Sequence, residues 1–254
     1  GLMMFATSDT ISITKLAQEA EQRGFESLFL PEHPILPVHT ETLFPGSHSK
    51  IIPDEYRCLL DPYIALAAAA AVTSNIRLGT SISLVLERSP IITAQAIATL
   101  DRISQGRLIF GVGSGWLKEE SDIFGVDWHK RGHQLEDYIL AMKACWTEKI
   151  SQYQGDYVQF PPLICEPKPI QTPHPPILIA GELKRAVKRA ADWGNGWIPR
   201  YIMTTPEQIA EGRQQMVQQY RQRGRDPATI DITLFGGRTN HDEMQHWINA
   251  GVTR

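Results

Sequence analysis

The sequence has little that would serve a disulfide, a metal or a membrane. Its three cysteines, Cys58, Cys145 and Cys165, are far apart and odd in number, with no CxxC spacing. They offer neither a disulfide framework nor a zinc site, and they suit a reducing compartment. His129 and His133 are four apart but lack an HExxH context, and His39, His48, His174, His241 and His246 fall into no ligand spacing with acids or cysteines. No metal is expected. The longest apolar run, Ile64 to Val72, is too short to cross a bilayer, and no secretory leader is visible, so a cytoplasmic protein is expected. A formal net charge of −3 gives no general pull toward nucleic acid or anionic lipid, and neither is expected as a partner. The glycine run Gly111-Val-Gly-Ser-Gly115 departs from both GxGxxG and the P-loop, and Gly113-Ser114-Gly115 lacks the spacing of a GxSxG nucleophile elbow.

What the chain does have is one recurring module. A short apolar strand leads through a loop into an amphipathic helix, which stops at a glycine before the next strand. Strands are expected at 2–6, 25–30, 77–83, 108–112, 177–180, 197–199 and 230–235. A first helix is expected from about Ser12 to Arg23, with Ile13, Leu16, Ala17 and Ala20 on one face and Gly24 as its terminator. Three later helices open with a capping residue followed by proline: Asp61-Pro62, Ser89-Pro90 and Thr205-Pro206. Gln208 completes a capping box with Thr205. Gly106, Gly224 and Gly251 close helices in the same way.

The strands are continuous apolar runs with no alternation, the mark of a parallel sheet buried on both faces. A single α/β domain over residues 1–254 is expected, as a (β/α)8 TIM barrel, with a doubly wound open sheet as the alternative. Gly251-Val252 reads as the approach to an eighth strand, so the last βα unit is expected to be incomplete in this sequence. Two insertions break the pattern. Residues 31–60, rich in proline and histidine, follow strand two at the end where barrel enzymes keep their chemistry. Residues 151–176 precede strand five, carry seven prolines and a short hairpin around Tyr153 to Phe160, and suit a structural role.

The carboxyl ends of the strands gather the candidates for chemistry. Strand two delivers Glu32 and His33, a carboxylate beside a group that titrates near neutrality, suited to acid/base work or to fastening the insertion by hydrogen bonds. Strand three delivers Thr80, Ser81, Ile82 and Ser83. Strand four runs into Gly113, Ser114, Gly115 and Trp116, a stretch that is either a tight turn or a cradle that lets something flat approach the backbone. Strand five delivers Ala180, Gly181 and Glu182 at a helix start, a plausible anion site. Lys184, Arg185, Lys188 and Arg189 on that helix would add charge to it or form a solvated basic face. Leu43, Phe44, Tyr56 and Trp116 suggest an apolar or aromatic wall of a substrate pocket.

Several stretches carry a family pattern over essentially the whole chain: PEHPILP after strand two, SNIRLGTSISLVLERSP at strand three, LDRISQGRLIFGVGSGWLKEE, PHPPILIAG and DWGNGWIP. They closely resemble the bacterial luciferase-like superfamily, in its F420-dependent oxidoreductase branch. The resemblance implies a TIM barrel with flavin or deazaflavin at the carboxyl ends of the strands. It implies that His33 faces the reactive ring beside Glu32, where the family usually has Asp. It also implies that Ser81-Ile82 forms a bulge behind the ring, often with a non-proline cis peptide, that Gly113 to Trp116 flank the ring, and that Gly181 and its neighbours bind the cofactor phosphate. Ser114 stands where sugar-phosphate dehydrogenases of the family carry a glutamate, so that substrate is not transferred, and Ala180 replaces a frequent glycine.

The function expected on this basis is hydride transfer between F420 and a small organic substrate, with His33 moving a proton. The alternatives are an FMN-dependent monooxygenase using reduced flavin and oxygen, and a non-catalytic flavin- or deazaflavin-binding protein. Members of the superfamily are often homodimers.

Overall fold

The computed structural model describes residues 1–237 and 240–254, and the chain divides into two compact units, Gly1–Pro175 and Pro176–Arg254.

The first unit runs β1 (Leu2–Met3), α1 (Ile13–Gln22), β2 (Ser27–Leu30), α2 (Pro62–Ala71), β3 (Arg77–Thr80), α3 (Pro90–Ile103), β4 (Leu108–Val112), α4 (Lys118–Ile123), α5 (Arg131–Thr147), β5 (Ser151–Gln154) and β6 (Gln159–Leu163). β1 pairs with β2, β2 with β3 and β3 with β4, all parallel. Every residue of β2 and of β4 is buried, as continuous apolar strands require. The helices start where their caps predict: the Asp61 carboxylate accepts from the N–H groups of Tyr63 and Ile64 at the first turn of α2. Ser89 precedes Pro90 but makes no side-chain cap bond. Gly24 and Gly106 follow α1 and α3 at φ +78°, a left-handed conformation that glycine adopts without a Cβ clash.

β1, β2, β3 and, in the second unit, the strand Asp231–Ile232 are shorter than the expected 2–6, 25–30, 77–83 and 230–235, because backbone pairing covers less than the apolar run. β1 stops at Met3; Ala6 then accepts from the N–H of Leu60, and Thr7 bridges Leu59, so the end of the 31–60 insertion is tied to the segment after β1. β3 stops at Thr80, where the Ser81–Ile82 peptide is cis. Arg107 closes the opposite end of these strands, donating to the carbonyls of Ala70, Thr73, Ile76 and Ser104 and to the Thr73 hydroxyl. The second insertion contains the antiparallel β5–β6 hairpin. The buried Asp101 carboxylate, accepting from Ile170 N, Gln171 N and Gln171 Nε2, then pins its return to α3. Cys145 and Cys165 are both free and buried, and burial pushes the Cys145 thiol up to about 12.

The second unit runs β7 (Ile177–Ala180), α6 (Leu183–Asp192), β8 (Gly196–Ile198), α7 (Pro206–Gln222), β9 (Asp231–Ile232) and α8 (His241–Ala250). β7, β8 and β9 pair in that order, again parallel. The capping box on α7 forms between Thr205 and Gln208. Arg225 stacks on the Tyr220 ring at 4.0 Å and donates to the carbonyls of Ala190, Ala191 and Gly194. After α8 the chain turns at Gly251 and lies along β9, with Thr253 N donating to Ile232 O and Leu234 N to Arg254 O. Among the described residues, parallel strands thus alternate with helices in both units, and no helix is long and apolar enough to cross a membrane.

Candidate active site

The carboxyl ends of β2, β3 and β4 lie side by side. Ser81 N donates to Leu30 O at 2.8 Å, Ser83 N to Gly111 O at 2.8 Å, and Gly113 N to Ser83 O at 3.2 Å. The backbone alone therefore brings the segments holding Glu32, Ser81-Ile82 and Gly113 together. Thr80 is fully buried and its hydroxyl donates to Gly111 O at 2.7 Å, so it serves the sheet.

Glu32 and His33 are neighbours in the chain, but their side chains bond separate sets of partners. Glu32 is buried and accepts from Ser83 Oγ (2.9 Å), Leu84 N (2.7 Å) and Arg88 Nε (2.6 Å). Arg88 also bonds Asp61, the cap of α2, and its guanidinium lies 4.7 Å from the centre of the Tyr63 ring. The Tyr63 hydroxyl bonds Ser83 Oγ, and burial, then the Glu32 charge, pushes that phenol up. Burial alone would lower the Arg88 pKa, but the Glu32 charge and the bonds to Asp61 and Glu32 drive it upward.

The support for His33 that the sequence assigns to Glu32 comes instead from Glu120, on the first turn of α4. Its Oε2 is 2.6 Å from His33 Nδ1, and both side chains are nearly enclosed. On the other side of the ring, Trp116 Nε1 donates to His33 Nε2 at 3.1 Å. An indole N–H can only donate, so Nε2 carries the lone pair and Nδ1 carries the proton toward Glu120. Tyr56 stands 5.2 Å and Trp116 5.6 Å from the imidazole, centre to centre, and Phe44 packs edge-on against both. Three of the four expected wall residues thus meet around His33, while Leu43 is exposed. Glu119, next to Glu120, accepts from Glu41 N, Thr42 N and the Thr42 hydroxyl, which ties the insertion to α4. Burial would raise its pKa, but the Thr42 and backbone donors override that and lower it to about 2.

Glu120 escaped the sequence reading because it is 87 residues from His33 and sits in a KEE run that resembles a solvated helix start. Its position four residues after Trp116 was the available signal. Glu87 is a second missed residue. It lies in the short helical turn after β3, is buried, and is pushed up to about 9 by burial and by the charges of Glu120 and Glu32.

One feature of the first unit fits a flat, polar-edged cofactor. Ser81 Oγ is buried without a hydrogen-bond partner, an orphan of the kind a ligand satisfies. Gly115 has φ +77°, and a Cβ there would stand 3.2 Å from Ser121 Oγ and 3.7 Å from Leu84 Cδ2, so the loop's own packing calls for glycine. In the second unit, Ala180 is half-buried while Gly181 and Glu182 are exposed at the start of α6. Gly181 has φ +135° and its carbonyl accepts from Trp197 Nε1 at 2.8 Å. Among the described residues no group of three or more His, Cys, Asp or Glu side chains could hold a metal ion.

In the first unit, parallel strand ends thus bring the segments holding His33, Ser81-Ile82 and the glycine loop side by side. The luciferase-like monooxygenase family profile matches residues 6–245, and the chain belongs to that family. An uncharacterised protein of Mycobacterium tuberculosis is 37% identical over 257 residues, covering all of this chain and 89% of that protein. The crystal structure of monooxygenase RslO1 from Streptomyces bottropensis is similar at a TM-score of 0.74 and 27% identity, over 87% of this chain. The coenzyme F420-dependent tetrahydromethanopterin reductase from Methanopyrus kandleri shares the fold at a TM-score of 0.69 and 23% identity, over 92% of this chain. This chain spans 63% of the length of each of those two structures.

Proposed function

We propose that this chain is a two-electron oxidoreductase of the (β/α)8 type that takes F420 at the strand ends and acts on a small organic substrate. The observation that carries the reading is His33 held between Glu120 and Trp116. An imidazole with a fixed tautomer beside an orphaned serine hydroxyl and a glycine loop is equipped to move one proton next to a bound ring. F420, when bound, supplies the hydride. The residues of this chain proposed to hold it are Ser81 and Ile82 on one side and Gly113, Ser114, Gly115 and Trp116 on the other. Ala180, Gly181 and Glu182 are a separate proposal, as a phosphate-binding turn built on the free N–H groups of α6.

His33 Nε2 is the atom that would exchange a proton with substrate, and Trp116 must release it first. Glu120 keeps the Nδ1 proton in place, so an incoming proton can only enter at Nε2. Glu32 fixes the backbone around Ser83 and Leu84, with its charge compensated by Arg88. Tyr56 and Phe44 exclude water from the imidazole.

The second reading is an FMN-dependent monooxygenase: RslO1 is a monooxygenase, and an FMNH2-dependent dimethylsulfone monooxygenase of Pseudomonas putida is 35% identical to this chain over 111 residues. The two separate in a titration of the protein with F420 and with FMN, followed by absorbance and fluorescence. Tight F420 binding, and loss of F420-coupled turnover in His33→Ala, are expected. Oxygen uptake with reduced FMN and no affinity for F420 would replace the first reading with the second. Binding without turnover across a substrate panel would make the chain a non-catalytic carrier.

A further inference from the structure

His33 is bonded on both ring nitrogens, and its two partners differ in chemistry and in freedom. Glu120 Oε2 lies 2.6 Å from Nδ1, and Glu120 is 1% exposed. Trp116 Nε1 donates to Nε2 at 3.1 Å, and Trp116 is half-buried at the end of the glycine loop. An indole N–H can only donate, so it needs a lone pair opposite it. Neutral His33 offers that lone pair on Nε2. Protonated His33 carries N–H on both nitrogens, which leaves Trp116 without an acceptor and sets two N–H groups against each other. The bond to Glu120 responds the other way, because a carboxylate holds an imidazolium by a stronger, charge-assisted bond. One proton therefore tightens the buried side of the ring and breaks its half-exposed side. The titratable groups facing the imidazole are Glu120 from α4 and Tyr56 from the turn at Asp54–Cys58, whose ring centre is 5.2 Å away. Glu32, beside His33 in the chain, is taken up by Ser83, Leu84 and Arg88. The indole also packs edge-on against Phe44 of the insertion, 5.5 Å between centres, and Phe44 is half-buried as well.

We infer that Trp116 is a positioning residue that latches His33 according to its charge: closed on the neutral imidazole, released from the imidazolium. Release bares Nε2–H, so the form of His33 able to give a proton is the form open to a ligand. When that proton leaves, the electron pair stays on Nε2 and Trp116 closes on it again. The latch belongs to the chain alone and holds whichever flavin the site takes; only its use in turnover rests on the function proposed above.

The test is nitrogen–proton NMR of the full chain without cofactor, so a failure of the F420 reading leaves it intact. The indole signal of Trp116 is assigned with Trp116→Phe, and the ring nitrogens of His33 are followed in the same samples. At alkaline pH, His33 should show a bare Nε2, and the Trp116 indole proton should exchange slowly with water. As pH falls, the Trp116 signal should shift and its exchange accelerate at the midpoint where His33 gains its second proton. Trp146, whose Nε1 donates to the Ala94 carbonyl at 2.8 Å, is the internal control: its acceptor does not titrate, and its signal should hold. Glu120→Gln removes the charge that favours the imidazolium and should carry both midpoints to lower pH together. Trp116→Phe removes a bond made only to the neutral ring and should move the His33 midpoint to higher pH. A Trp116 signal that stays constant while His33 titrates, or shifts at a different midpoint, would overturn the latch. So would a proton on Nε2 at alkaline pH, or loss of the Trp146 signal before His33 gains its second proton. If Glu120→Gln does not fold, the wild-type midpoints and the Trp146 control decide alone.

Discussion

The strand-end cluster around His33 and the turn at Ala180–Glu182 are both polar, and they are built in opposite ways. In the cluster Glu32 and His33 are each fixed more than once: Glu32 has three donors, and His33 is held on both nitrogens. The turn is exposed, and Glu182, although it caps α6, makes no side-chain cap bond. Buried polar groups must be satisfied or they cost stability, whereas exposed ones are satisfied by water. The cluster is therefore rigid and expensive to disturb, and the turn is adaptable and cheap to change.

The largest effect should come from breaking the buried charge pair. Arg88→Met strips Glu32 and Asp61 of their partner and should cost about 3–5 kcal/mol in a denaturant titration, because an uncompensated buried carboxylate remains. A loss as small as that of a surface substitution would mean the cluster is not over-determined. His33→Ala should leave folding intact and reduce turnover by roughly 100-fold or more. Gly115→Ala should destabilise by about 1–2 kcal/mol, since alanine at φ +77° is strained and its Cβ presses on Ser121. At the turn, Glu182→Ala should change stability by less than about 0.5 kcal/mol while altering affinity for a phosphorylated cofactor.

The cluster also contains its own contrast in acidity, which pH can sharpen. Glu87 is raised from 4.5 to about 9, so across that window the folded protein keeps a proton that the unfolded chain has shed. Its contribution is greatest below 4.5, falls as pH rises, and levels off above about 9. Glu119 runs the other way: its stabilisation is present above 4.5 and is lost as pH falls toward about 2. Glu87→Gln should flatten the alkaline decline in denaturant midpoints, and Glu119→Gln should flatten the acid one. An unchanged alkaline slope in Glu87→Gln would remove Glu87 as its source.

Much of this architecture was legible in local chemistry. Asp61-Pro62 and Thr205-Pro206 announced their helices, and the run from Leu108 to Val112 was a strand to the residue, because capping and buried parallel pairing leave their marks within a few positions. His33, Ser81-Ile82 and the glycine loop were placed at strand ends for the same reason. The ends of β1 and β3 were not legible, since they depend on which partner carbonyls remain within reach. Nor was the pairing of His33 with Glu120: it joins residues that only the fold makes neighbours, and adjacent Glu32 looked the better partner, although it bonds Ser83, Leu84 and Arg88 instead. Glu87 was hidden too, because a carboxyl's proton depends on which charges surround it in space.

Glu119 and Glu120 are consecutive, one gripping the insertion at residues 41–42 and the other gripping the imidazole. α4 is thus a short rocker with a load at each shoulder. The insertion and the imidazole therefore hang from adjacent positions of one helical turn, so a displacement of residues 41–42 pulls on the turn that holds His33.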